Sequence, residues 1–467
     1  MIELVLVQDK FSEAIEIRIV NEVFSIDDIA YKITFVNNRP VINIHLNTQD
    51  PLQRSEKIRK IAPKIFNSLD ELSSYRINIL AAKQDLLALL EGIFMYSYTY
   101  EKFKSITKQK NKKIVIELDK NQTEVALKLQ ELFKWVNLSR DLTNEPYTTL
   151  NTLALALKLD ELANSLNINS QLLTEKEIKM EEMGGLLAVN KGSKNPPRFS
   201  ILDYKPDNHI NEQPYVLIGK GVVMDTGGYT IKDTPNSMEI MKCDMAGAAI
   251  VASVVFALRS FQFPFWCIGL IPITDNMISH DALVPGEIIR MKNGKTVEVT
   301  NVDAEGRLIL ADALIYAQKY NPLLVIDIAT LTGSAISTLG HQGALLCQNN
   351  ADEFVKILKQ ASEYTYERFA ELPLWPEFED EIKSSIADLK NVSDKPYAGA
   401  LIAATFLKQF ITYPWIHLDV AGPVFNKSAY KYYREGATGY GVRLLVTFFE
   451  ILCNTTISKS NDYYRKC

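Results

Sequence analysis

The chain has 467 residues, 47% of them hydrophobic and 23% charged, which suits a soluble globular protein too long for one ordinary domain, so two are expected. Its 51 basic and 56 acidic residues give a net charge of −5, which excludes a global electrostatic pull toward nucleic acid. Five cysteines, odd in number and without a Cys-x-x-Cys pair, suit free thiols in a reducing compartment rather than a disulfide framework.

The opening residues, Met1-Ile-Glu-Leu-Val-Leu-Val, carry no cationic stretch and no cleavage site, so a secretory signal is not expected. Residues 1–118 alternate short β-prone runs, at 16–20, 41–46, 75–80 and 114–117, with a helical pattern over 85–104, which predicts a small α/β domain. Five lysines crowd residues 104–113, and a solvated interdomain loop explains them better than a phosphate site. Over 123–142 the residues Val125, Leu129, Leu132 and Val136 recur at helical spacing, so an amphipathic helix is predicted to bridge the domains. The expected organisation is an N-terminal α/β domain over 1–120, a linking helix over 121–150 and a catalytic domain over 151–467.

From about residue 150 the pattern is repeated strand and helix. Strands are predicted near 198–204, 215–218, 265–273, 323–328 and 416–420, and helices near 151–166, 246–261, 308–320, 351–370, 399–411 and 442–453. This alternation predicts a mostly parallel central sheet with helices on both faces. Asn293-Gly294 at the centre of 288–299 reads as a β-hairpin turn. The longest apolar run, 246–258, is too short by itself to span a bilayer, and no membrane association is expected.

Two segments carry chemistry. Residues 301–308 read Asn-Val-Asp-Ala-Glu-Gly-Arg-Leu. In an extended segment Asp303 and Glu305, at i and i+2, point to the same side, while Gly306 permits a tight turn and Arg307 adds a fixed cation. A divalent-metal site and a surface acid pair with an arginine counter-ion both fit that octapeptide alone. Residues 218–232 place Lys220, Asp225 and Lys232 around Gly-rich turns at the end of a buried strand, and Met241-Lys242-Cys243-Asp244 leads into the next helix. Open α/β sheets bind ligands at such strand ends, although an ordinary βα loop with solvated charges has the same composition. Cys243, beside Asp244, is read as a packed thiol, and His417 as a satisfied core histidine.

Other motifs fail. Gly294-Lys295-Thr296 resembles the end of a phosphate-binding loop, but Ile289 stands where the first glycine is required. Gly219-x-Gly221 lacks the third glycine of a dinucleotide fingerprint. The five histidines are dispersed with no His-Glu-x-x-His, and no Gly-x-Ser-x-Gly occurs.

Taken together, the two segments resemble the leucyl aminopeptidase family, the dinuclear-zinc cytosol aminopeptidases. The 301–308 run looks like that family's signature, with Val302 where Thr is usual, and the run around Lys220 and Asp225 looks like its lysine-aspartate motif, with Met224 where Phe is usual. The resemblance continues through Asn137-Leu-Ser-Arg-Asp-Leu-Thr-Asn-Glu-Pro146, Met183-Gly-Gly-Leu-Leu-Ala-Val189, Asp327-Ile-Ala-Thr-Leu-Thr-Gly333, His417-Leu-Asp-Val-Ala-Gly422 and Gly436-Ala-Thr-Gly-Tyr-Gly-Val-Arg443. It covers about residues 135–450 and is weak before about 120.

The resemblance implies Lys220, Asp225, Asp244, Asp303 and Glu305 as ligands of two divalent ions, zinc or manganese, with magnesium an alternative at one site. It implies a neutral Lys220, a protonated Lys232 that steadies an oxyanion, and an Arg307 that holds bicarbonate as general base. The implied reaction is removal of leucine-like N-terminal residues from peptides by a two-metal bridging-hydroxide mechanism. Met241, Thr330 and Gly333 would line the side-chain pocket, while Asn301 and Leu331 would help hold the substrate backbone. A cytoplasmic homohexamer is implied as well. The rival readings are a non-enzymatic structural or DNA-binding hexameric relative, against which the retained ligand positions speak, and a two-metal phosphoesterase, whose site would be rich in histidine.

Overall fold

The computed structural model describes residues 2–6, 15–20, 29–36, 39–46, 50–68, 74–80, 83–105, 113–118, 120–233 and 237–464. Met1, Cys467 and residues 106–112 of the lysine-rich stretch lie outside the described residues. The chain divides into two compact units, Met1–Lys134 with Asn426–Thr438, and Trp135–Phe425 with Gly439–Cys467.

In the first unit, β1 (Ile2–Leu6), β2 (Ile15–Val20), β3 (Ile29–Val36), β4 (Arg39–Leu46), β5 (Ser74–Leu80) and β6 (Lys113–Leu118) form one sheet in the order β1-β6-β5-β2-β4-β3. It is parallel except where β3 meets β4. Helices α1 (Pro51–Ser68) and α2 (Lys83–Ser97) are cross-linked by Arg54–Asp85 and Arg59–Glu91, each at 2.6 Å. Helix α2 stops at Ser97, short of the predicted 104. The Ser97 hydroxyl turns back onto the Phe94 carbonyl at 3.2 Å, and Tyr98-Thr99-Tyr100 lose side-chain freedom in a helix. Helix α3 (Lys120–Asn144) covers the predicted bridging helix and carries the chain from the first unit into the second.

The second unit follows the predicted alternation. Its elements begin with α4 (Thr152–Ser165), β7 (Asn169–Leu173), α5 (Glu175–Met180), α6 (Gly184–Asn190), β8 (Arg198–Tyr204), β9 (Tyr215–Gly219) and β10 (Gly221–Asp225). Next come α7 (Ala246–Ser260), β11 (Cys267–Asn276), the hairpin β12 (Glu287–Arg290) and β13 (Thr296–Val299), α8 (Gly306–Ala317) and β14 (Leu324–Ala329). The chain continues through α9 (Gly333–Leu339), β15 (Ala344–Asn349), α10 (Asp352–Thr365), β16 (Phe369–Glu371), α11 (Glu377–Asp380), β17 (Leu389–Lys390), α12 (Gly399–Lys408), β18 (Trp415–Asp419) and α13 (Val442–Tyr464).

The large sheet runs β16-β15-β18-β14-β9-β11-β8-β7, with β10 beside β11. The strands from β18 to β11 are mutually parallel, as are β10 and β11; β15, β8 and β7 add antiparallel neighbours. Alternation along β9 shows both faces covered. Val216 and Ile218 join the core that contains α8 and α12, whereas Tyr215 packs edge-on to Phe354 of α10 and Phe449 of α13. Strand β9 has β11 on one side and β14 on the other, so its carboxyl end opens at a crevice of the kind that binds ligands in such sheets.

Two expectations need correction. Helix α10 ends at Thr365, not near 370, because Tyr366 takes a left-handed conformation (φ 58°) and the buried Arg443, paired with Glu367, takes up the Thr365 carbonyl. The helical run through α7 is also longer than its apolar core suggests. With the preceding turn it spans Met238–Ser260, 23 residues, long and apolar enough by length and composition to cross a bilayer, yet 83% of its apolar window is buried within the protein.

Candidate metal centre

Three loops at the carboxyl ends of β9, β10 and β14 meet the turn that precedes α8. The first contribution is Lys220, whose backbone bridges neighbouring segments: its N–H donates to Ile328 O at 3.1 Å and its carbonyl accepts from Ala248 N at 2.9 Å. Its side chain lies across the start of α8. A Cβ on Gly306 would stand 2.6 Å from Lys220 Cε, so a larger residue there would displace the end of the Lys220 side chain from its carboxylates. The second contribution is the loop after β10. Gly227, at φ +82°, closes a turn in which Thr230 N donates to Gly227 O and Lys232 N to Thr226 O, returning Lys232 over Asp225. A Cβ on Gly227 would meet Asp303 Oδ1 at 2.8 Å.

The 301–307 motif is not the extended segment that was expected. Residues 302 and 303 form a turn, in which Asn301 Oδ1 accepts from Asp303 N at 2.8 Å. Asp303 and Glu305 still converge, because α8 begins at Gly306 and the turn folds both carboxylates toward Asp225. One carboxylate oxygen from each of Asp225, Asp303 and Glu305 lies within 4.8 Å of the others. Asp244, in the turn before α7, reaches the same place through Lys220 and through Thr330 Oγ1, which donates to Asp244 Oδ1 at 2.7 Å.

The charges are arranged in two layers. Lys220 Nζ lies 2.8 Å from both Asp244 and Glu305, and Lys232 Nζ lies 2.7 Å from Asp225 and 2.6 Å from Asp303. Four carboxyl groups thus face two ammonium groups. Burial and mutual repulsion raise Asp225, Asp244 and Asp303 above the ordinary carboxylate range, Asp303 to about 7. Burial works against the Glu305 anion too, but Lys220 and Lys232 outweigh it, and Glu305 is lowered. Burial by itself would lower both lysines; Asp244 and Glu305 hold Lys220 up, and Asp225 and Glu305 hold Lys232 up. With protein groups alone, Lys220 is therefore an ammonium rather than the neutral amine implied by resemblance, and a neutral Lys220 requires a dication to take over its charge.

The residues present fit a divalent cation. Asp244 Oδ2, Asp303 Oδ1 and both Glu305 oxygens are buried without a hydrogen-bond partner; three of them sit at ion-pair distance from a lysine but outside hydrogen-bond geometry. Hard carboxyl oxygens left unsatisfied in one pocket are what a divalent ion demands, and its charge would favour their ionised form.

Arg307 points from the first turn of α8 into the same region. Its Nη1 donates to Asn391 O at 2.5 Å, while its buried Nε has no hydrogen-bond partner. Burial lowers its pKa to about 10, so it stays cationic at neutral pH. Of the expected pocket residues, Thr330 and Asn301 are brought to the acid cluster by the bonds just given. Leu331 is fixed by its N–H to Asp419 Oδ1 at 3.1 Å, and Gly333 opens α9 with empty space where a Cβ would be. The side chain that caps α9 is Thr332, which leaves Thr330 for Asp244. Met241 sits half-buried in the short helical turn before Asp244. Cys243 is buried, as expected of a packed thiol, and burial pushes it up to about 12. His417 is a core histidine whose Nδ1 lies 2.6 Å from Asp327, but it is not fully satisfied, since its buried Nε2 has no hydrogen-bond partner.

Sequence reasoning missed Asn391 and Asn276. Asn391, fully buried, accepts from Thr300 N at 2.9 Å and donates to Asn301 O at 2.6 Å, so it braces the motif from a distant part of the chain. Nothing local marks it. Asn276 closes β11 in the run Thr274-Asp275-Asn276, and a polar triplet ending an apolar strand at the ligand-binding edge of the sheet was a usable signal.

Comparison with known proteins gives the family. The sequence profile described as "Cytosol aminopeptidase family, catalytic domain" matches residues 137–446. A probable cytosol aminopeptidase of Geobacter sulfurreducens is 43% identical over 316 residues, 68% of this chain and 63% of that protein, so the match spans less than two thirds of that relative's length. One from Rickettsia bellii is 36% identical over 405 residues, 84% of this chain and 78% of its own. Among solved structures, the bottromycin maturation enzyme BotP in complex with Mn superposes with a TM-score of 0.84 at 27% identity, over 95% of this chain and 100% of that one.

Proposed function

The chain belongs to the cytosol aminopeptidase family, a family of metalloaminopeptidases, and from that premise we propose that it removes N-terminal residues, leucine-like ones by preference, from peptides with a free α-amine. The observation that carries the reading is the buried meeting of Asp225, Asp303 and Glu305 from separate loops, with Asp244 and two lysines alongside. We assign Lys220, Asp225, Asp244, Asp303 and Glu305 as holders of two divalent ions, zinc or manganese, with magnesium an alternative at one position; the Mn-containing BotP supports manganese. When bound, the ions supply Lewis acidity and an activated water, and a bicarbonate on Arg307 supplies the general base.

The chain's own residues do the rest. Lys232 stays protonated beside Asp225 and Asp303 and offers N–H donors to a developing oxyanion. Arg307 is pinned by Asn391, which fixes the plane of the guanidinium and leaves its Nε free for a planar anion. Asn301 and Leu331 hold the substrate backbone, while Met241, Thr330 and Gly333 line the pocket for its first side chain. We assign residues 1–120 to assembly of a cytoplasmic homohexamer, 121–150 to the linking helix and 151–467 to catalysis; the extent of the family match supports the last of these.

The test is hydrolysis of a leucine anilide by the purified chain. Activity is expected, is lost with a chelator, and returns with Mn²⁺ or Zn²⁺. In decarbonated buffer, added bicarbonate raises the wild-type rate and leaves Arg307→Ala unmoved. No leucine released with either metal present would sink the reading, and a flat wild-type response to bicarbonate would remove the base assigned to Arg307.

Pocket size gives a sharper check. Since a Cβ at Gly333 meets open space and the position is the first of a helix, Gly333→Val folds without a clash and narrows the pocket. The ratio of kcat/KM for leucine over alanine anilides is expected to fall about 10–200-fold, the range for one or a few methylenes of misfit. An unchanged ratio removes Gly333 from the pocket.

A further inference from the structure

The two halves of the acid cluster are linked by one amide. Asn276 is the last residue of β11 and is 5% exposed. Its Nδ2 donates to Asp225 Oδ1 at 2.9 Å and to Val302 O at 3.0 Å. Both partners are pure acceptors, so the amide can face them only with its NH₂ end, and its orientation is fixed by chemistry. Separately, the Asn276 carbonyl accepts from Thr226 N at 3.0 Å and Thr226 Oγ1 at 2.8 Å, and Asn276 pairs in register with Asp225 beyond an irregularity in β10. The backbone bonds tie the loop to the strand; the side chain does something different.

We propose that Asn276 is a positioning residue for the metal centre, setting which oxygen of Asp225 faces the ions and how far Asp225 stands from Asp303. The inference rests on the metal-centre reading above. Asp225 Oδ1 accepts from Asn276 Nδ2 and from Gly227 N at 2.9 Å, so that oxygen is occupied by two donors. Only Oδ2 is left to face Lys232 and the interior of the site. The second hydrogen of the same NH₂ holds the carbonyl of Val302, whose next residue is Asp303. Asp225 and Asp303 come from different loops, and this amide holds both against one rigid strand end. An apolar residue could fill the volume but could not aim either carboxylate, and an outer partner that orients a ligand commonly changes metal affinity by 10–100-fold.

The experiment compares wild type with Asn276→Ala and Asn276→Ser, all as full chains. Metal-stripped protein is titrated with Mn²⁺ and with Zn²⁺, and steady-state kinetics are taken at saturating metal. The backbone bonds to Thr226 survive both substitutions, so the loop remains tied to β11. Asn276→Ala is expected to lose about 10–100-fold in affinity for the weaker-bound ion. At saturating metal its kcat should fall about 10²-fold, as for an ångström of misplacement, with KM within a few-fold of wild type. Asn276→Ser, which can reach one acceptor but not both, should fall between, and it also serves if the alanine variant does not fold. Wild-type metal affinity and kcat in both variants would overturn the proposal and leave Asn276 a structural residue. A wild-type chain that binds neither ion would instead overturn the metal-centre reading on which it rests.

Discussion

Asp303→Ala is expected to reduce leucine-anilide hydrolysis to near background and to lower bound metal below the two divalent ions per chain expected of the loaded wild type. Asp303 is one of three acids whose oxygens lie within 4.8 Å of one another, and its Oδ1 is buried without a hydrogen-bond donor. Removing it takes away an inner ligand, so the loss in affinity should exceed the roughly 10–100-fold typical of an outer partner. The mutation also removes one of four crowded carboxylates. Metal-stripped Asp303→Ala should therefore be no less heat-stable than metal-stripped wild type, because it relieves repulsion among Asp225, Asp303 and Glu305. Added metal should raise the melting temperature of wild type by mass action and raise the variant's far less. Metal content from elemental analysis, with melting curves in chelator and in Mn²⁺, checks both halves. A fully active wild type with a persistent single ion per chain would contradict the two-ion arrangement, and an active Asp303→Ala would remove that residue from the ligand set.

The second large effect separates the two lysines. Lys232→Ala is expected to lower kcat by about 10²–10³, as for loss of one oxyanion donor, while both ions remain bound. Its ammonium is partly open to solvent, at 14% exposure, and pairs with the oxygens of Asp225 and Asp303 that ions would share. An ion can take over that counter-charge, so metal binding should survive. Lys220 is different. It is 3% exposed, donates to Thr330 O at 3.0 Å and pairs with Asp244 and Glu305 at 2.8 Å. Lys220→Ala strips two buried carboxylates of their partner, a change that costs about 3–5 kcal/mol in buried pairs, and it should weaken occupancy of one ion. Metal analysis and kinetics on the two variants side by side decide the matter: equal metal loss in both would contradict the division of roles.

Much of this centre could be read in the sequence because its parts are local. The period-2 and period-3.6 patterns from residue 150 onward gave the strand and helix alternation of the second unit, since each element buries one face against the next. Gly227 stands at a positive φ with the Thr230 carbonyl too close for any other residue, and Gly306 stands against the end of the Lys220 side chain, so the two motifs advertise crowding around Lys220 and Asp303. The acids were therefore legible as residue types, and the resemblance gave them roles.

What the sequence could not supply was convergence. Asp303 and Glu305 face Asp225 through a side-chain-capped turn, not through the pleat of an extended strand, and spacing alone does not distinguish the two. Asn391 carries no local pattern, and the polar triplet that ends β11 at Asn276 marks a strand end without saying which groups the amide will hold. Each acts through hydrogen bonds to segments far along the chain: those of Asn391 form where β17 lies beside β13, and those of Asn276 where β10 lies beside β11. The end of α10 was likewise set from outside, by the Arg443 guanidinium on the Thr365 carbonyl, against a sequence that could have continued the helix. Local periodicity and backbone sterics thus determined the elements and the two motifs, because both depend on neighbours within a few residues. The charge state of the lysines, the aim of each carboxylate oxygen and the polar braces behind them were decided by the tertiary structure, because burial and long-range hydrogen bonding exist only once the sheet has brought the loops together.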